Sequence, residues 1–186
     1  MNLVERVKNI LLSPKEEWPK IAEEPATVGS LFTGYIMILA AIGPIAMILR
    51  SFAIGTPVAI VTYVVGLGVC YLMALIVDVL APSFGGEKNF IQSLKLIAYS
   101  YTATWIAGIF QIFGTLGGLI GLLAVIYTFY TFYLGAPTLK KCTQDKAVGY
   151  TIVVVLCGIV LTFVLVGLLM SMVFGGAILG FGALSH

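Results

Sequence analysis

A single histidine, His186, is all this chain contains. That excludes the histidine-based triads and proton relays on which many hydrolases depend, and no H-E-x-x-H, Walker or dinucleotide motif takes its place. Charge is scarce too, with 10 Lys and Arg against 8 Asp and Glu in 186 residues. The formal charge of +2 includes no basic patch of the kind that binds nucleic acid. The three cysteines, Cys70, Cys142 and Cys157, stand far apart without a C-x-x-C pair, which points to free thiols rather than a zinc or redox site. The longest polar stretch is the first 30 residues, too short to build a core of its own. Neither an enzyme nor a bound cofactor or metal is expected.

What is present is apolar. Hydrophobic residues make up 60% of the chain, and the mean hydropathy is +1.10. A soluble fold of this size cannot cover so much apolar surface. The expected class is all-α: a polytopic bundle of five transmembrane helices over residues 30–186, preceded by a short amphipathic segment over residues 1–29. The polar start up to Leu31 shows no cleavable leader, so the first apolar stretch is expected to remain as a span.

A helical span needs about 20 apolar residues. Leu31 to Leu49 is the first, closed by Arg50 and kinked at Gly43-Pro44, since Pro44 donates no backbone hydrogen bond. The second runs from Pro57 to about Leu80, with Thr56 as N-cap. Leu96 to Leu134 carries no charge; as one helix it would be roughly 58 Å long, about twice the hydrocarbon core, so it must fold back. Gln111 to Thr115 is the expected hairpin, giving a third span from about Lys95 to Phe110 and a fourth from about Leu116 to Leu134. The fifth is expected from about Val148 to Phe174, broken by Gly175-Gly176, with Ala177 to Leu184 at the surface or against the bundle.

Five crossings put Arg6, Lys8, Lys15, Lys20, Lys88, Lys95, Lys140, Lys141 and Lys146 on one side and only Arg50 on the other. The positive-inside rule then makes the N-terminus cytoplasmic and the C-terminus external.

Within the first segment, Leu3, Val4, Val7, Ile10 and Leu11 fall at helical spacing, with Glu5, Arg6, Lys8 and Asn9 assigned to the other face. This predicts a helix lying in the membrane interface. Ser13-Pro14-Lys15-Glu16 restarts a helix as a capping box, and Trp18 with Ile21 would anchor it at the interface. Docking a cytoplasmic protein is the alternative use of this segment.

Asp78 is the one acid inside an apolar stretch and hence a candidate site. Either it is solvated or paired with Lys88 or Lys95, or it binds a cation, proton or head group. Glu87, Lys88, Lys95 and Tyr99 are the residues expected to share a polar site with it. Ser100, Thr104, Gly108 and Gln111 form a stripe suited to helix packing. Gly114, Gly117, Gly118 and Gly121 form two overlapping G-x-x-x-G patterns, read either as packing within the bundle or as self-association into a homo-oligomer.

Phe84-Gly85-Gly86-Glu87-Lys88-Asn89-Phe90, then Gln92, then Leu94 to Tyr101, resembles the core signature of the Yip family (Ypt-interacting membrane proteins), in its bacterial branch. The runs Tyr130 to Pro137 and Asp145 to Tyr150, and Ser13-Pro14 followed by Trp18 and Ile21, are similar to that family as well. The likeness extends from about residue 10 to 172. It implies five spans, a cytoplasmic N-terminus and residence in a bacterial inner membrane. Eukaryotic members bind small GTPases and carry an Asp-Leu-Tyr-Gly-Pro motif that this sequence lacks. The expected function is a membrane-embedded scaffold that organises lipids or protein partners; a transporter, channel or lipid scramblase with a site near Asp78 is the alternative.

Overall fold

The computed structural model describes residues 2–183, and the side chains of these except residues 53–55, 166 and 168–183. Every described element is helical. Two short helices, α1 (Leu3–Leu12) and α2 (Pro14–Glu23), precede five helices long and apolar enough to cross a membrane. These spans are Val28–Arg50, Thr56–Phe84, Phe90–Phe113, Thr115–Lys140 and Gln144–Leu165.

Side-chain caps set several starts. Asn2 accepts from the Val4 amide at the head of α1. Thr27 and Ser30 cap each other reciprocally where the first span begins, and Asn89 caps the third. Ser13 does not act as the expected capping box: its side chain makes no cap bond, and its carbonyl receives the Glu16 and Glu17 amides instead. Pro14 still occupies the first turn of α2, where its missing N–H costs nothing.

The first span is irregular in two places. A π-helical turn occupies Phe32–Ile36, and the helix is interrupted at Ala41. The interruption sits one turn ahead of Pro44, whose ring clashes with the carbonyl four residues back. The third span changes character along its length, from α-helix at Phe90–Ser100, through a break at Tyr101, to a 3-10 helix at Gly108–Phe113. Gly114, at φ 62° and ψ −121°, then turns the chain back into the fourth span at the expected hairpin. The fifth helix runs unbroken from Gln144 to Ala183, so the break expected at Gly175-Gly176 does not occur. Each glycine costs about 1 kcal/mol inside a helix. How residues 177–184 lie against the bundle falls outside the described side chains.

The N-terminal helices are not laid along a surface. Trp18 and Ile21 are fully buried, and the Trp18 indole donates to the Thr131 carbonyl in the fourth span at 3.1 Å. Gly135 makes room for that ring, since a Cβ there would sit 2.5 Å from a Trp18 ring carbon. Tyr127 donates to the Leu11 carbonyl, and the Gln92 amide to the Ala22 carbonyl. The amphipathic segment is therefore part of the core at one end of the bundle.

Candidate functional site

The buried charges among the described residues gather at that end, in two clusters. The first is built on the apolar stripes of α1 and α2. Leu3, Arg6, Val7 and Ile10 share one face of α1, and Pro14, Glu17, Trp18 and Ile21 one face of α2. Each stripe thus carries one charge inward. Arg6 is 4% exposed and Glu17 1%, and they meet at 2.6 Å. The other Arg6 Nη donates to Glu24, and Arg6 lies over the Tyr99 ring at 5.6 Å from its centroid. Arg6 therefore faces inward, opposite to its expected side, because Glu17 and Tyr99 compensate its burial.

Lys95 joins the same cluster from the third span. It is 3% exposed, and its Nζ donates to the Ile21 carbonyl at 2.7 Å and the Glu24 carbonyl at 2.5 Å. An ammonium on the last carbonyls of α2 complements the negative end of that helix. Beneath lies an aromatic layer. Tyr99 packs against Tyr35 at a tilt of 59°, with centroids 4.5 Å apart, and meets Trp18 edge-on at 6.5 Å. The Tyr35 and Thr102 hydroxyls are bonded at 2.7 Å, and Thr102 donates to the Tyr99 carbonyl.

The second cluster holds Asp78. Its partner is Lys140, at 2.9 Å, not Lys88 or Lys95. Lys140 is fully buried and also donates to Ser93 Oγ at 2.7 Å and the Asn89 carbonyl at 3.2 Å. Asp78 Oδ1 further accepts from the Asn89 amide and Ser93 Oγ. Lys140 reaches inward because its Nζ finds three oxygens there, which match its three donors. The Gly85-Gly86 turn wraps the pair. Gly85 adopts φ 73°, and a Cβ on Gly86 would lie 2.7 Å from the Lys140 carbonyl. Glu87 donates its amide to that carbonyl and pairs with Lys141 through its side chain at 2.8 Å. Next to this turn, burial pushes the Cys142 thiol pKa up.

The residues expected to form one polar site are thus divided. Asp78 and Glu87 belong to the second cluster, Lys95 and Tyr99 to the first, and Lys88 is exposed outside both. Of the packing stripe, Thr104 bonds Thr128 of the fourth span at 2.8 Å. Gly108 brings the third span against Gly43 of the first: a Cβ on Gly108 would fall 2.9 Å from the Gly43 Cα. Ser100 is buried, and its hydroxyl has no partner among the described residues. Gly117 closes over the Phe110 carbonyl in the hairpin, but among the described residues nothing lies within 4 Å of where a Cβ on Gly118 or Gly121 would be.

Sequence reasoning missed Arg6, Glu17, Glu24 and Lys140. A usable signal existed for two of them: one charge in each of two successive apolar stripes, of opposite sign. Nothing in the sequence distinguished Lys140 from Lys141.

The Yip1 domain family matches residues 8–165 of the chain. Neither a curated protein nor a solved structure matches it.

Proposed function

The chain belongs to the Yip1 domain family, and from that premise we propose that it is a non-catalytic, membrane-embedded adaptor whose charged end recruits lipid or protein partners. The carrying observation is the way α1 and α2 are tied into the spans. Their buried faces are held by Trp18, Lys95 and the Arg6–Glu17 pair, while Lys8, Lys15, Glu16, Lys20 and Glu23 remain exposed. A binding face fixed in advance loses little entropy on association. The distribution of Lys and Arg supports placing this face in the cytoplasm, and the family resemblance supports the inner membrane of a bacterium. Asp78 acts here as a tie between the second, third and fourth spans, through the Asn89 amide, Ser93 Oγ and Lys140.

Affinity capture from gently solubilised, cross-linked membranes tests this reading. A defined partner or lipid is expected with the native chain and is lost in Lys8→Glu/Lys15→Glu, whose unfolding temperature stays unchanged. Solute or lipid flux through proteoliposomes that vanishes in Asp78→Asn would replace the adaptor with a transporter.

A further inference from the structure

A polar cavity of about 190 Å³ opens beside the first cluster, where the first span begins. Arg6, Glu24, Ser30, Tyr35, Lys95 and Tyr99 are among its lining residues. Four facts bear on what it holds. The surrounding cluster is balanced, with Glu17 offsetting Arg6 from behind the wall, while Arg6, Lys95 and Glu24 line the cavity itself. A lone anion would meet the Glu24 carboxylate and a lone cation two basic groups, whereas a zwitterion sets each of its charges against an opposite one.

Bonding capacity is left over on both signs. A guanidinium has five N–H donors, and the Arg6 side chain uses one on Glu17 and one on Glu24. Glu24 is 44% exposed, and only its Oε1 has a partner among the described residues. The aromatic faces are taken: Arg6 lies over Tyr99, and the Tyr35 ring packs against Tyr99 at a 59° tilt. A quaternary ammonium, which is held by open aromatic faces, has no seat here; an N–H-bearing ammonium has one at Glu24. Finally, the π-helical turn Phe32–Ile36 contributes Gly34 and Tyr35 to the wall. Such turns concentrate at functional sites. Gly34 leaves the wall open, with nothing within 4 Å of where its Cβ would be. Met37 and Ile38, just below on the same span, are exposed apolar residues along which acyl chains can run.

We propose that this cavity binds the head group of a phospholipid carrying a primary ammonium, with the phosphate toward Arg6 and the ammonium on Glu24. The inference rests on the membrane placement of the adaptor reading and specifies one lipid partner for its charged end.

The test uses the purified full chain, delipidated in detergent, with lipid binding read by native mass spectrometry and by thermal unfolding. Phosphatidylethanolamine is expected to bind at least tenfold tighter than phosphatidylcholine or phosphatidylglycerol. Glu24→Gln and Gly34→Leu, one removing the ammonium acceptor and the other filling the opening, are expected to erase the preference; Gly34→Leu leaves the lipid-free unfolding temperature unchanged, and Glu24→Gln, which also loses the Arg6 ion pair, is compared with its own lipid-free unfolding temperature. Equal binding of the choline lipid, tighter binding of the glycerol lipid, or a preference that survives both variants overturns the proposal. Soluble phosphoethanolamine binding as tightly as the lipid overturns the lipid assignment in favour of a free small molecule. Because no protein partner is present, a failed capture experiment leaves this result standing, and a failed lipid preference leaves protein capture intact.

Discussion

The two ends of the bundle are built on different principles. At the charged end, every residue from Ser93 to Ser100 is buried, and Arg6, Glu17, Lys95 and Lys140 are each no more than 4% exposed. At the hairpin end, Phe113 and Leu116 are about two-thirds exposed, and the one charge, Arg50, lies against Gly114. In lipid, apolar surface does not drive helices together, because the tails are as apolar as the side chains. Specific association then comes from polar ties and close backbone contact. This chain concentrates the ties at one end and leaves the other to close contacts of Gly43 with Gly108 and of Gly117 with Phe110. The charged end is the fixed part of the molecule, and the outer faces of the fourth and fifth spans are the part open to lipid or to other chains.

The largest effect is expected where that contrast is broken outright. Arg6→Ala leaves Glu17 buried with only the exposed Lys20 and a long bond from Asn9, and should destabilise the fold by about 3–5 kcal/mol. Replacing both, as Arg6→Met/Glu17→Leu, should recover most of the loss, since the uncompensated charge disappears. Thermal unfolding in a fixed detergent measures both. Equal losses in the single and double variants would mean that the cluster is held by something other than the pair.

A smaller loss is expected at Gly135→Ala. Its new methyl must displace the Trp18 ring or Leu96, whose nearest atoms would lie 2.5 and 2.7 Å away. Overpacking of this kind costs about 1–3 kcal/mol. The same assay, with Trp18 fluorescence as a second readout, should show the indole moved from its present environment. An unchanged spectrum and unfolding temperature would mean that α2 is not packed on the fourth span.

The five spans and the Gln111–Thr115 hairpin were legible because they follow from quantities the sequence carries directly: run length, charge position and turn residues. The polar sites were less legible because they depend on register between distant elements. Asp78 and Lys140 are 62 positions apart and meet only once the second and fourth spans are placed side by side. Trp18 and Ile21 were readable as one apolar face, but an apolar face looks the same whether it meets lipid or protein. What decides is Gly135, on another helix 117 positions away, whose missing side chain leaves the space that Trp18 fills. Arg6 shows the opposite failure. Its position in the stripe of Leu3, Val7 and Ile10 was visible, and reading every charge as outward-facing concealed it.

The smallest effect on folding is expected on the open face. Among the described residues Gly118 and Gly121 have no neighbour that a Cβ would touch, although they belong to the G-x-x-x-G patterns of the fourth span. Gly118→Leu/Gly121→Leu should therefore move the unfolding temperature little, by an amount corresponding to no more than about 0.5 kcal/mol per site. If these glycines serve contact between copies, the same variant should lose cross-linked dimer in membranes while keeping its monomer fold, because a leucine stops two helix backbones from approaching closely. Loss of stability without any change in oligomeric state would instead place a packing partner on this face within the chain. The charged end predicts the reverse pattern, in which stability falls first and any change in assembly follows from it. The two readouts together thus assign each half of the molecule either to folding or to association.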